Sequence, residues 1–242
     1  MRRDWLQTAL SAVLPPLCLT CEAQVETPFG LCGPCWRELR FVSGLTCRLC
    51  AVPLPGEAPE AEALCDDCLV IARPWQAGAS ALVYSGTGRS LVLALKHADR
   101  QDIARAAAPW LARAAGPLVT PDTVLVPVPL HPWRLLHRGS NQSVLLAAAL
   151  ARHLTLPHCP DALIRTRATL ALDGQGREAR FATLQGAIRP HPRRRALTGR
   201  DVILVDDVMT SGATLAAASE AAHAAGAKRI SVLTLARVAK AP

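Results

Sequence analysis

Residues 202–215 read VILVDDVMTSGATL. Four apolar residues make a buried strand, and Asp206 and Asp207 stand at its carboxyl end. Thr210, Ser211, Gly212, Ala213 and Thr214 then form a short loop that opens a helix. Ligands of open α/β sheets bind beyond the carboxyl ends of strands, and the N–H groups of such a loop and helix start favour a phosphate. Gly212 permits close approach and unusual torsions, while Thr210, Ser211 and Thr214 add hydroxyl donors. Two adjacent carboxylates cannot serve the phosphate itself, but they can accept hydrogen bonds from two vicinal hydroxyls. Acid pair and phosphate nest together read a ribose 5-phosphate. A receiver-type domain also places acids at a strand end, but there most of the sheet follows the pair, whereas here only residues 208–242 remain.

The second chemical pattern is Cys18-x2-Cys21-x10-Cys32-x2-Cys35, then Cys47-x2-Cys50-x14-Cys65-x2-Cys68. A C-x-x-C turn aims two sulfurs at one tetrahedral metal, and two such turns complete a closed four-thiolate site. Eight ligands fill two zinc ions, with sequential pairing favoured over crossed pairing. Neither site keeps an open position, so both metals are expected to be structural. Disulfides suit a secreted chain, and redox C-x-x-C motifs rarely occur four times over. Cys159 stands alone and reads as an ordinary cysteine.

Positioning these groups requires an alternating α/β segment behind a small Cys-rich module. Residues 78–85 (GASALVYS) and 123–130 (TVLVPVPL), DVILVDD from 201 and RISVLTLARV from 229 read as strands. Helices are expected at 88–97, 102–115, 141–154 with Asn141 as cap, and 213–225 stopped by Gly226. Continuous apolar strands alternating with helices predict a mostly parallel sheet flanked by helices. Residues 155–200 read as irregular and Arg-rich, and 53–63 as an excursion. The expected organisation is an N-terminal helix at 1–16, a double zinc ribbon at 17–76 and an α/β domain at 77–242.

The chain has 242 residues, half of them hydrophobic, with net charge +8. Residues 1–76 carry 6 basic and 9 acidic side chains, net −3, whereas 77–242 carry 21 and 10, net +11. The basic part attracts anions such as sugar phosphates, nucleotides or nucleic acid. Gln7 and Thr8 interrupt the leading apolar segment and Pro15–Pro16 end it, so it reads as a short amphipathic helix rather than an export signal. No apolar run approaches the ~18 residues of a membrane span. A cytoplasmic location without membrane insertion, and reduced thiols, are expected.

The 202–215 stretch closely resembles the phosphoribosyl pyrophosphate (PRPP) motif of type I phosphoribosyltransferases. The resemblance implies that Asp206 and Asp207 hold the ribose hydroxyls and that residues 210–214 hold the 5-phosphate. Residues 126–142, VPVPLHPWRLLHRGSNQ, are expected as a strand, a long loop and a helix start. In that family this position grips pyrophosphate, a role that falls to Arg138 and the Gly139 N–H. With the Cys pairs, LALKH (93–97) and RTRAT (165–169), the whole order resembles the ComF-type family, which includes ComFC of DNA-uptake competence and GntX-like relatives. That family joins a zinc ribbon to a phosphoribosyltransferase domain and recurrently has a lysine near the ligand, here Lys96. Ser140, Leu172 and Thr183 stand where the family usually has Phe, Gln and Asn.

Three functions follow. The first is an enzyme that binds PRPP with Mg2+ and transfers phosphoribosyl to an acceptor the sequence does not name. The second is a DNA-uptake module that handles single-stranded DNA or DNA-processing proteins, with PRPP as ligand or regulator. Single-strand binders offer aromatic platforms in a basic groove; of nine aromatic residues here, Trp133 lies in a basic segment. The third is a PRPP-sensing interaction module without catalysis.

Overall fold

A computed structural model describes residues 15–56, 63–97, 100–167, 181, 183–193 and 196–239. Most of the expected leading helix, the centre of the 53–63 excursion, Ala168–Thr169 of the RTRAT element, Leu172 and Arg194–Arg195 lie outside these residues. Four parallel strands form the main sheet in the order β1 (Ala77–Val83), β6 (Arg229–Arg237), β5 (Asp201–Met209), β2 (Thr123–Pro127). Parallel neighbours require crossovers, and helices supply them. Helices α3 (Gly86–Ala94) and α4 (Gln101–Ala115) link β1 to β2, and α7 (Ala213–Ala224) links β5 to β6. Between β2 and β5 run α5 (Pro132–Arg138), α6 (Gln142–Leu154) and a small antiparallel pair, β3 (Leu163–Arg165) with β4 (Ile188–Pro190).

The sheet is buried on both faces, as the unbroken apolar runs in β2, β5 and β6 require. Alternate residues of β5 divide between two cores. Ile203 and Val205 pack with Leu111, Leu146 and Leu150 of α4 and α6. Val202 and Leu204 pack with Leu215 and Ala218 of α7, and with Cys47, Cys50, Cys68 and Trp75 of the Cys-rich segment. That segment carries two short helices, α1 (Gly33–Glu38) and α2 (Asp66–Val70). It also covers the β1 edge: the Val42 N–H donates to Ala81 O, and the Val83 and Gly78 N–H groups donate to Arg40 O and Arg48 O. An edge strand left bare would invite pairing with another chain.

Two expectations are corrected. The long loop expected after β2 contains α5. Pro132 in the first turn lacks the N–H that would go unpaired there, His131 Nδ1 accepts from the Trp133 N–H at 3.2 Å, and Gly139 closes the helix at φ +70°. Residues 155–200 are not irregular throughout, because the β3–β4 pair crosses them. Strands of three residues are too short to show an alternating pattern.

Candidate functional site

The β2–β5 pairing ends at Pro127 and Val205, while β5 continues beside β6 to Met209. Asp206 and Asp207 therefore lie inside β5 at the level where its β2 neighbour has stopped. The backbone helps to fix them: the Asp207 N–H donates to Asp206 Oδ1 at 3.0 Å, and the Val208 N–H donates to Asp207 Oδ1 at 2.7 Å. Ser143, in the first turn of α6, donates its hydroxyl to Asp206 Oδ1 at 2.8 Å. Asn141 holds that turn in place by accepting from the Ser143 N–H at 3.0 Å and donating to Val128 O at 3.1 Å.

Burial and the adjacent Asp207 carboxylate push Asp206 up to about 7, against the Ser143 hydrogen bond. Burial also raises Asp207, while Lys96 and Arg138 pull it back. Arg165, 8% exposed on β3, interacts electrostatically with Arg134 and Asp206. The chain thus brings Lys96 from beyond α3, Arg138 from the end of α5 and Arg165 from β3 toward one acid pair. Gly139 follows Arg138 directly as the α5 cap.

After Met209 the chain turns through exposed Thr210 and part-buried Ser211. Gly212 caps α7 at φ +83°, and Ser211 Oγ accepts from the Ala213 N–H at 3.4 Å. Ala213 and Thr214 form the first turn of α7 rather than the loop itself. The left-handed torsion at Gly212 favours glycine, and a Cβ there would lie 2.9 Å from Arg73 Nη1 and 3.3 Å from the Trp75 ring, so it would push on the Arg73 guanidinium. A separate cavity of about 590 Å3 lies between residues 41–48, β1 and the end of α4, lined in part by Phe41, Arg48, Trp110 and Arg113. It contains none of these acid-pair or loop residues.

The eight paired cysteines form two clusters in sequential order: Cys18, Cys21, Cys32 and Cys35, then Cys47, Cys50, Cys65 and Cys68. Within each, the four sulfurs lie within 4.8 Å of one another. Tetrahedral zinc with ~2.3 Å bonds places its sulfurs about 3.8 Å apart. Cys21–Cys32 at 3.4 Å and Cys50–Cys65 at 3.6 Å fit that spacing. The Cys50 hydrogen bond pulls Cys47 down to about 4, and Cys50 rises in return. Four such sulfurs ionise together only when a cation compensates them, as a zinc-ribbon site does.

Four further residues belong to this arrangement. Ser143 lies just past the NQ pair and Arg165 within the RTRAT element, both near motifs visible in the sequence. Arg73 and Arg237, which bond to the 209–211 carbonyls, carry no local signal at all.

The double zinc ribbon domain family matches residues 9–69, and the phosphoribosyl transferase domain family matches residues 140–241. The DNA utilization protein YhgH of Escherichia coli K12 is 32% identical over 231 residues, covering 93% of this chain and 98% of that protein. Competence protein F of Haemophilus influenzae is 28% identical over 227 residues, covering 91% and 90%. The glutamine PRPP amidotransferase of Bacillus subtilis, a solved structure, aligns with TM-score 0.39 and 20% identity over 57% of this chain and 27% of that one. With 32% identity to a relative over nearly its whole length, and with both domain families matched in this order, the chain belongs to the ComF-type family of DNA utilization and competence proteins, a zinc ribbon followed by a phosphoribosyltransferase-type domain.

Proposed function

We propose that this protein binds PRPP with Mg2+ at the carboxyl end of β5 and transfers the phosphoribosyl group to an acceptor. The observation that carries this reading is the acid pair beyond the last β2–β5 partners, continuous with the Gly212-capped start of α7. Asp206 and Asp207 accept from the two ribose hydroxyls. The N–H groups and hydroxyls of Thr210, Ser211, Gly212, Ala213 and Thr214 hold the 5-phosphate. Arg138 and the Gly139 N–H meet the pyrophosphate, with Lys96 beside them. In the reaction the bond from the anomeric carbon to the pyrophosphate oxygen breaks, and a bond from that carbon to the acceptor's nucleophile forms. The protein contributes position and charge: the carboxylates fix the ribose and stabilise the cationic character at its anomeric carbon, and the cations receive the departing negative charge. Mg2+ belongs to the substrate, partly neutralising its pyrophosphate.

The organisation proposed is the leading helix at 1–16, the zinc ribbons at 17–76 and the transferase-type domain at 77–242, in the cytoplasm. Among the described residues no helix is long and apolar enough to cross a membrane. The eight paired cysteines hold two structural zinc ions.

A second reading is favoured by α5, where Trp133 is 65% exposed and Leu136 82% exposed beside Arg134 and Arg138. An exposed aromatic among cations suits stacking against single-stranded DNA, and the names of the relatives point to DNA use. Titration calorimetry with PRPP and Mg2+ tests the first reading. Binding is expected to the zinc-loaded protein and to be lost in the Asp206→Asn/Asp207→Asn variant. No binding by the folded protein refutes it and leaves the DNA reading, which a steep salt dependence of single-strand binding supports.

A further inference from the structure

The two sulfur clusters sit differently toward the site. Cys18 Sγ of the first cluster shares a hydrogen bond with Thr20 Oγ1 and accepts from the Cys32 N–H, and the neighbouring Leu19 carbonyl accepts from Arg100 Nη2 at 2.7 Å. Leu19 packs into the core of the α4 and α6 face. The second cluster lies on the opposite face, against α7, and two arginines reach from it to the loop after β5.

Arg237, 4% exposed at the end of β6, donates Nε to Cys50 O at 2.8 Å and Nη2 to Cys50 Sγ at 3.5 Å. Its Nη1 donates to Met209 O and Thr210 O, each at 3.0 Å. Arg73 donates Nε to Cys68 Sγ at 3.4 Å and Nη1 to Ser211 O at 2.8 Å. Trp75 completes the junction: its Nε1 donates to Leu49 O, between the two cysteines of the Cys47 turn, at 2.7 Å. Each guanidinium thus spans from a cluster sulfur to the backbone of the loop.

Charge and peptide geometry give these bridges a purpose. Four thiolates around Zn2+ carry a formal charge of about −2, which two guanidinium groups balance. A buried charge that lost this compensation would be costly. In a planar trans peptide the C=O and the following N–H point in opposite directions. Guanidinium groups that draw the carbonyls of Met209, Thr210 and Ser211 toward the cluster therefore turn the N–H groups of Thr210, Ser211 and Gly212 away from it. Those are the donors a phosphate in the loop needs.

We propose that Arg73 and Arg237 are positioning residues that couple the second cluster to the phosphate loop, so that zinc in that cluster and an anion in the loop strengthen each other's binding. The inference rests on the ribose-phosphate reading of the loop. Its signature is reciprocal, because linkage requires that an anion held more tightly by the zinc-loaded protein must itself retain that zinc. Among the described residues no guanidinium bridges the first cluster to the loop, and that cluster takes no part.

The test follows zinc transfer from the full-length, two-zinc protein to a colorimetric chelator, with and without saturating PRPP and Mg2+, alongside calorimetry of PRPP binding. PRPP is expected to slow release of one zinc by about 5-fold or more and to leave the other unchanged. Cys21→Ser, which breaks the first cluster, should remove only the unprotected phase. Arg73→Gln should release one zinc faster without ligand and lose the protection by PRPP. Arg73→Lys keeps the charge but not the fork, and is expected to restore zinc retention more than PRPP protection. Arg237→Lys is the harsher variant, and part-buried Arg73 keeps the inference testable where it fails to fold. PRPP binding with both release rates unchanged, or protection lost in Cys21→Ser, overturns the coupling and spares the ribose-phosphate reading. Absence of PRPP binding refutes that reading and the coupling with it.

Discussion

Replacing Asp206 with Asn should stabilise the protein while abolishing PRPP binding. The native carboxyl is raised from 3.8 to about 7 by burial and the Asp207 charge. A raised acid binds its proton more tightly folded than unfolded, so stability falls as pH climbs from the unfolded to the folded value, and the loss is complete above about 7. A shift of about three units at ~1.4 kcal/mol each sets an upper bound of about 4 kcal/mol. The interval between pH 5.5 and 7 accounts for about half of it. An amide has no charge to desolvate, and its oxygen still accepts from Ser143 and the Asp207 N–H. The Asn variant should therefore gain about 2 kcal/mol on wild type between pH 5.5 and pH 8, or about 4–8 °C in Tm at 2–4 °C per kcal/mol. Paired thermal melts of the zinc-loaded proteins at the two pH values measure this difference, and calorimetry measures the lost binding. A gain that is the same at both pH values, or a Tm that falls at pH 8, would falsify the claim that a part-buried carboxylate is held ionised here at the expense of stability.

Ser143→Ala removes the donor to Asp206 Oδ1, so PRPP binding, which needs the ionised pair, should move its pH midpoint up by about one unit, read from affinities across pH 6–9. Gly212→Ala faces a left-handed torsion and meets the Arg73 guanidinium; it should cost about 1–3 kcal/mol in denaturant unfolding and weaken phosphate binding. Gly78→Ala places its Cβ against the Leu49 carbonyl, a backbone atom that cannot swing aside. This variant should loosen the Cys-rich segment from β1, seen as faster loss of zinc and a lowered Tm.

What the sequence revealed follows the range of the interactions. The strand, acid pair, loop and helix of 202–215 are contiguous, so each residue's surroundings could be inferred from its neighbours. The cysteine clusters were legible because C-x-x-C encodes half a tetrahedron in four residues. Ser143, by contrast, reaches Asp206 across 63 residues, Arg73 reaches Ser211 across 138, and Arg237 reaches Cys50 across 187. An Arg-rich chain gives no local reason to single out these arginines. The seven-residue α5 and the three-residue strands β3 and β4 fall below the length at which a period can be read.

This separation of local from distant contributions bears on how the site works. β5 and the loop after it can present carboxylates and N–H groups by themselves, but among the described residues the cations acting on the acid pair come from other elements: Lys96 from beyond α3, Arg138 from α5, Arg165 from β3. The acid pair is therefore compensated only when the crossover segments between β1, β2 and β5 have folded over it. The loop's own backbone is held from behind by Arg73 and Arg237, which depend on the Cys-rich segment. A transferase-type domain expressed without residues 17–76 would lose Arg73, the Cys50 acceptors and the cover on the β1 edge together. Its failure to bind PRPP would thus not argue against the ribose-phosphate site. The discriminating variants are single changes such as Arg73→Gln and Ser143→Ala, which each disturb one side of the site and leave the fold around it intact.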